Sequence, residues 1–317
     1  MARDPQDDSD AFIAEVCWHY FVNGMTQAEI AKQLEATRLR VNQAIQRAKS
    51  LGMVKVQIDS PFIARLELQE EVRQRLGLRR VLIAPARRAP YDYHGSVGTA
   101  LATYLTENLR LRRWRSIGVS WGVTLEQAIR KLPQQSHPEL EIVSMLGGTM
   151  QGAAFNSFSI ASGLAGALGA NYSLLAAPIF LSDGVDRDTF LAQEIFAQHF
   201  AKFEALDAAI LTASDVSPRS FLIANGLPKE VAPEDLTGAG AIGDVLGRFL
   251  DTDGNRIDHP LDTRTIGVDI ATLRNIPEKI LAAAGPHKVA IIRAASAGGL
   301  VDTLVTDDVT AELVIAD

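Results

Sequence analysis

Met25-Thr-Gln-Ala-Glu-Ile-Ala-Lys-Gln-Leu34, Glu35-Ala36 and Thr37-Arg-Leu-Arg-Val-Asn-Gln-Ala-Ile-Gln-Arg-Ala-Lys-Ser-Leu51 read as two short helices joined by a tight turn. Thr26, with Glu29 three residues on, forms a capping box for the first helix, and Thr37 is a natural N-cap for the second. In the second, Val41, Ala44, Ile45, Ala48 and Leu51 recur at helical spacing and make a buried stripe. The opposite face carries Arg40, Asn42, Gln43, Gln46 and Arg47, with Arg38 at its N-terminal end. This is the layout of a helix-turn-helix, whose second helix enters the DNA major groove. Arginine pairs with guanine, asparagine and glutamine pair with adenine, and Leu39 suits a thymine methyl group. The residues expected at DNA are therefore Thr26, Gln27, Thr37, Arg38, Arg40, Asn42, Gln43, Gln46 and Arg47. The plainer alternatives are a solvated polar helix face or a helix pair used for protein contacts.

Upstream, residues 10–23 place Phe12, Ile13, Val16 and Tyr20 at helical spacing, and Gly24 ends that helix. Downstream, Gly52 closes the second helix of the pair. Met53-Val-Lys-Val-Gln-Ile58 then alternates like a short strand, the first arm of a wing. Residues 26–58 hold Lys32, Arg38, Arg40, Arg47, Lys49 and Lys55 against Glu29 and Glu35. The whole chain carries a net charge of −7. A basic module on an acidic body fits a specific DNA reader and argues against indiscriminate nucleic-acid binding.

At 317 residues the chain is long for one domain, and its 47% hydrophobic and 22% charged content suffices for a sizeable core. The organisation expected is a DNA-binding domain over 1–59, a linker and oligomerisation helix over 60–79, and an α/β domain over 80–317. The linker begins near Asp59-Ser60-Pro61, and the helix from 63 to 76 sets Leu66, Val72 and Leu76 among Glu and Arg residues. It is either a plain surface helix or a contact between subunits. No apolar run nears the roughly 18 residues that span a bilayer. The polar, acidic start lacks the apolar stretch of a signal peptide, so a cytoplasmic protein with no membrane partner is expected. The single cysteine, Cys17, leaves no internal disulfide or cysteine-based metal cluster and reads as a buried thiol.

From Arg80 onward, short apolar strands alternate with helices. Strands are expected at 81–84, 116–119, 141–145, 208–211, 280–283 and 304–306, with helices at 92–110, 123–131, 155–169, 188–202, 286–297 and 309–315. The fold expected is a mostly parallel sheet covered by helices, with a ligand site beyond the carboxyl ends of the strands.

Four segments in this region carry candidate chemistry. Gly118-Val-Ser120-Trp121-Gly122-Val-Thr124 runs from a strand into a helix start, where backbone N–H groups and the hydroxyls of Ser120 and Thr124 can meet an anion or a sugar hydroxyl. Gly147-Gly148-Thr149 follows the next strand in the same way and precedes a helix containing Asn156, so the two loops are expected to converge on one crevice. Asp244, after a Gly-rich approach, is expected just inside a helix, where it holds sugar hydroxyls or only complements the helix dipole. Lys288 is expected in the first turn of a helix, beside an anionic ligand or simply exposed. Asp251-Thr-Asp-Gly254 lacks the further ligands of a calcium loop and reads as a hairpin turn. No catalytic triad, metal-ligand spacing or Walker loop occurs. The six histidines are scattered, with His199 and His259 read as structural or surface residues, and no cofactor is expected.

Together these segments resemble the SorC family of bacterial sugar-responsive transcription regulators over nearly the whole chain. Met25-Thr-Gln-Ala-Glu-Ile-Ala, Gly118-Val-Ser-Trp-Gly122, Gly243-Asp-Val-Leu-Gly-Arg-Phe249 and Gly298-Gly-Leu-Val-Asp-Thr-Leu-Val-Thr-Asp307 carry the resemblance. It implies an N-terminal winged helix-turn-helix joined to a Rossmann-like α/β effector domain similar to glucosamine-6-phosphate deaminase and ribose-5-phosphate isomerase. It further implies a homotetramer, operator DNA as partner, and a sugar, sugar alcohol or sugar phosphate as effector. By matching position it places Ser120, Trp121, Gly122, Gly147, Gly148, Asp244 and Lys288 at the effector; Gly118, Thr124, Thr149 and Asn156 join them from the residue reading. Three departures stand out. Gln43 replaces an arginine common in the reading helix, Pro286 replaces the second of two glycines, and Leu146 replaces a lysine able to form a Schiff base, so noncovalent binding is expected. The function expected is a regulator of a carbohydrate or polyol operon. The alternative is a sugar-phosphate isomerase or deaminase with an appended DNA-binding module, against which stands the lack of a convincing acid/base pair.

Overall fold

A computed structural model describes residues 9–54, 63–152 and 154–316. The chain divides into two compact units, 1–63 and 64–317. In the first, helix α1 (Asp10–Cys17) is capped by Ser9 and continues into a wider π-type turn, Trp18–Val22. Gly24, at φ +66°, ends it in a left-handed conformation that favours glycine. Helix α2 (Gln27–Gln33) starts at the capping box: the Glu29 N–H donates to Thr26 Oγ1 at 3.3 Å, and the Thr26 N–H donates to Glu29 Oε2 at 2.8 Å. Helix α3 (Arg38–Ser50) starts where Thr37 Oγ1 accepts the Arg40 N–H at 3.2 Å. Ile13, Val16, Ile30, Val41, Ala44, Ile45 and Ala48 fill the space between the three helices, with Cys17 buried beside them. Leu51, expected to extend the α3 stripe, is exposed instead, because the helix has already ended. The expected wing strand falls largely on residues 55–58, which with the linker at 59–62 lie outside the described residues.

Helix α4 (Ile63–Arg75) belongs to the second unit from Ala64 onward, and its Val72 is fully buried in the core of that unit. Among the described residues twelve strands follow, seven of them in one parallel sheet: β1 (Arg80–Ala84), β4 (Ser116–Val119), β5 (Glu141–Ser144), β6 (Asn171–Ser173), β7 (Ala208–Leu211), β11 (Glu278–Ala282) and β12 (Thr303–Asp307). Their order across the sheet is β1-β12-β11-β7-β4-β5-β6. Side chains alternate between its faces, and both faces are covered. Ile142, Ile210 and Val305 pack against α5 (Tyr93–Arg110), α6 (Val123–Lys131) and α7 (Ser157–Leu168), while Val143, Leu211 and Leu304 point into the other core. This is why the central strands are apolar throughout instead of alternating. Among the described residues no helix is long and apolar enough to cross a membrane.

Several elements differ from the sequence reading. Strand β6, with the sequence Asn-Tyr-Ser, went unread because a short edge strand has little apolar content to mark it. The helix expected at 188–202 is broken at extended Gln193 into Arg187–Leu191 and Glu194–Ala201. Asp244 lies in no helix. The Gly-rich approach leads into a hairpin of β9 (Gly243–Val245) and β10 (Arg248–Leu250), with β8 (Ala213–Asp215) on its other side. The hairpin's two central residues, Leu246 and Gly247, have φ of +57° and +73°, the left-handed pair that a tight antiparallel turn needs. The two short strands β2 (Arg87–Arg88) and β3 (Tyr91–Asp92) form a separate ribbon. The 251–254 turn is present, the Gly254 N–H donating to the Asp251 carbonyl at 3.1 Å.

Strand order fixes where a ligand can enter. From β4 the chain builds outward through β5 and β6, then returns to place β7 on the other side of β4. At such a reversal the connections leave in opposite directions and open a crevice at the strands' carboxyl ends.

Candidate functional site

The crevice lies at that reversal. It is lined by Trp121–Thr124 after β4, Thr212–Asp215 after β7, Asp244 of β9, the turn holding His287 and Lys288 after β11, and Tyr93 and His94 at the start of α5. It opens to solvent at the rim, and its volume is about 140 Å³. That is close to the roughly 150 Å³ known to hold one six-carbon ring.

The turn after β4 depends on Gly122, at φ +117°, whose N–H donates to the Phe155 carbonyl at 2.8 Å. Thr212 crosses from β7 to donate its hydroxyl to the Trp121 carbonyl at 2.7 Å, locking the two loops together. Thr124 Oγ1 lies 2.8 Å from His94 Nδ1. On the opposite wall, Asp244 is 4% exposed. Ser214 donates a short hydrogen bond to its Oδ1, and the Gly247 N–H donates to its Oδ2 at 3.0 Å. Each carboxylate oxygen keeps acceptor capacity for another donor. Ser214 also meets the Ser220 hydroxyl at 2.9 Å. Gly243 permits this wall, since a Cβ there would lie 2.3 Å from the Ser214 carbonyl oxygen.

Lys288 closes the floor. It lies in the single 3-10 turn Pro286–Lys288, ahead of the helix Val289–Ala297, and follows Gly285 at φ +115°. The side chain is buried with its ammonium 5.9 Å from the centre of the Tyr93 ring. Trp121, Phe221 and Phe155 form an apolar flank, meeting edge to face at 5.7 and 5.0 Å.

Burial dominates the electrostatics. It pushes the Asp244 carboxyl up to about 6, against the opposing pull of the Ser214 and Gly247 hydrogen bonds and the Lys288 charge. It pushes the Lys288 ammonium down to about 8, with Asp215 and Asp244 acting the other way. His94 falls to about 4, first by burial and then by the Lys288 charge, and His287 is lowered by the same two causes. At neutral pH the crevice therefore presents an ionised carboxylate, an ammonium and uncharged imidazoles. Among the described residues no group of three or more His, Cys, Asp or Glu side chains could hold a metal ion.

Of the residues singled out from the sequence, Trp121, Gly122, Thr124, Asp244 and Lys288 meet in this crevice. Ser120 sits beneath it, fully buried, with its hydroxyl 3.4 Å from Thr212 Oγ1. Gly118 lies within β4, where a Cβ would fall 2.4 Å from Met145 Sδ. The expected convergence of the two Gly-rich loops does not occur. Gly147 packs so closely that a Cβ would lie 2.4 Å from the Pro178 carbonyl oxygen, and Gly148 and Thr149 line a separate groove with residues 178–183 and Arg264. Asn156 caps α7, its Oδ1 accepting the Ser159 N–H at 2.9 Å. The strand before this loop, β5, lies on the far side of β4 from β7, so its loop opens elsewhere. Sequence reading passed over Tyr93, His94, Thr212, Ser214, Asp215, Phe221 and His287. One signal was available, since Thr212-Ala-Ser-Asp215 directly follows a recognised strand.

In the first unit Arg38, Leu39, Arg40, Gln43, Gln46 and Arg47 are exposed along α3. Thr26 and Thr37 are helix caps. Gln27 donates to Asn42 Oδ1 at 3.4 Å, and the Arg40 guanidinium lies over the Phe12 ring at 4.3 Å.

A helical head and an α/β domain with a crevice at its strand reversal define a ligand-responsive regulator. Residues 60–316 match the sequence model described as "Putative sugar-binding domain". The chain is 26% identical over 309 residues to the erythritol catabolism regulatory protein EryD of Brucella abortus, covering 98% of each. It is 27% identical over 307 residues to the transcriptional regulator LsrR of Escherichia coli, covering 96% of this chain and 94% of LsrR. Its fold matches the full-length sorbitol operon regulator SorC of Klebsiella pneumoniae with a TM-score of 0.74 and 25% identity, over 98% of this chain and 100% of that one. The chain belongs to the SorC family of sugar-responsive transcription regulators, and it is a regulator and not an enzyme.

Proposed function

We propose that this protein binds an operator through a winged helix-turn-helix formed by α2, α3 and the segment after Gly52, and that a small carbohydrate in the crevice adjusts that binding. The observation that carries the reading is the crevice itself: a buried carboxylate and a buried ammonium, Asp244 and Lys288, facing an apolar flank at the strand reversal. Such a lining suits a ligand with hydroxyls on one side and C–H groups on the other. EryD is an erythritol catabolism regulatory protein and SorC a sorbitol operon regulator, which supports a sugar or sugar alcohol here. Trp121, Gly122, Thr124, Asp244 and Lys288 contact the effector, and Ser120 and Gly118 hold the loop that presents them. Gly147, Gly148, Thr149 and Asn156 take part only where an effector reaches past the crevice into the neighbouring groove.

The effector domain over 80–317 takes the arrangement of glucosamine-6-phosphate deaminase and ribose-5-phosphate isomerase. Residues 60–79 serve as linker and oligomerisation helix for a cytoplasmic homotetramer, and 1–59 carry the DNA reader. Arg38, Gln43, Gln46 and Arg47 reach the DNA most directly, Arg40 from its place over Phe12, while Thr26, Gln27, Thr37 and Asn42 set the geometry of the helices.

The test uses DNA selected by the protein from a random pool. Arg38→Ala should weaken binding to that DNA at least about tenfold, the scale of one lost bidentate base contact. Its carbohydrate-induced thermal shift should equal that of the parent. Unchanged DNA affinity would remove α3 from the reading surface.

A further inference from the structure

We propose that α3 reads A·T base pairs: Leu39 meets thymine methyl groups, Gln43 and Gln46 bond adenine edges, and the cations on either side of them hold phosphates. This rests on the reading of α3 as the DNA helix. Four residues fix which side of α3 faces the protein, since Val41, Ala44, Ile45 and Ala48 are all buried. At about 100° of turn per residue, Leu39, Gln43 and Gln46 fall within about 60° of one another, on the line opposite that buried stripe. All three are exposed, Leu39 at 67%. Among the described residues neither glutamine amide has a hydrogen-bond partner within the protein. The charged side chains stand elsewhere. Arg38 and Lys49 lie about 80–100° round the helix to one side, Arg40 and Arg47 as far to the other. No carboxylate occurs between Arg38 and Ser50 to offset them.

A helix with its side chains is about 10–12 Å across and the major groove of B-DNA about 12 Å wide, so a seated helix nearly fills the groove. Its outward line then meets the base edges, and its two flanks meet the phosphate strands that wall the groove. Guanidinium and ammonium groups on those flanks neutralise phosphates, which raises affinity without naming a base. Two further candidates for base contact are already engaged. Arg40 lies over the Phe12 ring at 4.3 Å, and Asn42 Oδ1 accepts from Gln27 at 3.4 Å. The base edges therefore meet a branched apolar side chain and two carboxamides. A carboxamide donates to adenine N7 and accepts from the adenine N6 amino group, two bonds that satisfy both its ends. Guanine presents two acceptors on the same edge, which leaves the amide oxygen without a donor. Leucine has only its apolar surface to offer, and the thymine methyl is the group in the major groove that matches it.

The experiment selects duplexes for the full-length protein from a random pool, sequences them, and measures the affinity of the selected duplex by anisotropy over a range of salt. Replacing a selected thymine by uracil, which removes only the methyl group, should weaken the parent about threefold, the scale of one buried methyl group. Leu39→Ala should bind the thymine and uracil duplexes equally. Gln43→Ala and Gln46→Ala should each lose at least about fivefold of the preference for adenine over guanine at one position. Arg38→Ala and Arg47→Ala should select the same sequence as the parent and bind every sequence more weakly. Each should also lower the slope of log affinity against log salt by about 0.9. All five positions are exposed, so the buried stripe stays intact, and thermal melting checks that each variant folds. A selected guanine whose preference vanishes in Arg38→Ala or Arg47→Ala would overturn this assignment while keeping α3 as the reading helix. So would a uracil duplex bound as tightly as its thymine parent at every selected position. Binding that none of the five substitutions changes, in affinity or in selected sequence, would overturn both.

Discussion

Asp244 and Lys288 are the residues on which the chemistry turns, and burial moves their acidities in opposite senses, to about 6 and about 8. For stability, a carboxyl raised from 3.8 favours the folded chain below pH 4 and loses that contribution as pH rises through 6. An ammonium lowered from 10.5 favours the folded chain above that value and loses the contribution as pH falls through 8. Between 6 and 8 both groups are charged, and the empty crevice bears the cost of both. On the proposed reading, a carbohydrate in the crevice would offset that cost, its hydroxyls donating to the ionised carboxylate and its oxygens accepting from the ammonium. Effector affinity should therefore be flat from about pH 6 to 8 and fall on either side, by up to about tenfold per unit. Calorimetric titration across pH checks this. Asp244→Asn should abolish the acid limb and Lys288→Met the alkaline one; an acid limb that persists in Asp244→Asn would assign it to another group.

The helices of the first unit are held by local chemistry that is legible in the chain. Thr26 with Glu29, and Thr37, sit at the N-termini where their side chains bond the first free amides. The consequence is sharpest for α3, whose first turn carries Arg38 and Arg40. Thr37→Ala should cost about 1 kcal/mol of stability. It should also speed hydrogen exchange at the Arg40 amide and weaken DNA binding, with Thr37→Ser restoring all three. Unaltered exchange at Arg40 would show that the first turn is held by other contacts. The hairpin of β9 and β10 was opaque by the same logic. Gly243-Asp-Val-Leu-Gly247 holds a Gly-rich approach that serves a helix start equally well, and Leu246 at φ +57° is not a residue that advertises a left-handed turn. Its pairing with β8, distant in sequence, decides the outcome.

For the whole molecule, two separate units must share one equilibrium if a carbohydrate is to act on an operator. The effector changes DNA affinity only as far as it binds the two regulatory states with different strength. Linkage then requires reciprocity. Whatever factor a saturating polyol imposes on the DNA dissociation constant, saturating DNA must impose on the polyol's. Anisotropy of labelled DNA and calorimetry of the polyol, in one buffer with the full-length protein, give the two factors. Unequal factors would point to a change of oligomeric state outside this two-state scheme.

What local order in the chain establishes is considerable: the caps of α2 and α3, the buried stripe of Val41, Ala44, Ile45 and Ala48, the apolar strands, and the placing of Trp121, Gly122 and Lys288 just past strand ends. These follow from periodicity and backbone chemistry within a few residues. Which loops meet is a different matter. Gly118–Thr124 and Gly147–Thr149 look alike as text, yet one faces β7 and the other does not, because pairing over some ninety residues of chain sets Ile117 against Ala208. That pairing brings Thr212, Ser214 and Asp215 to Trp121 and Asp244. With them come the burial that shifts Asp244 and Lys288 and the charge balance of the crevice, since both depend on neighbours remote in sequence.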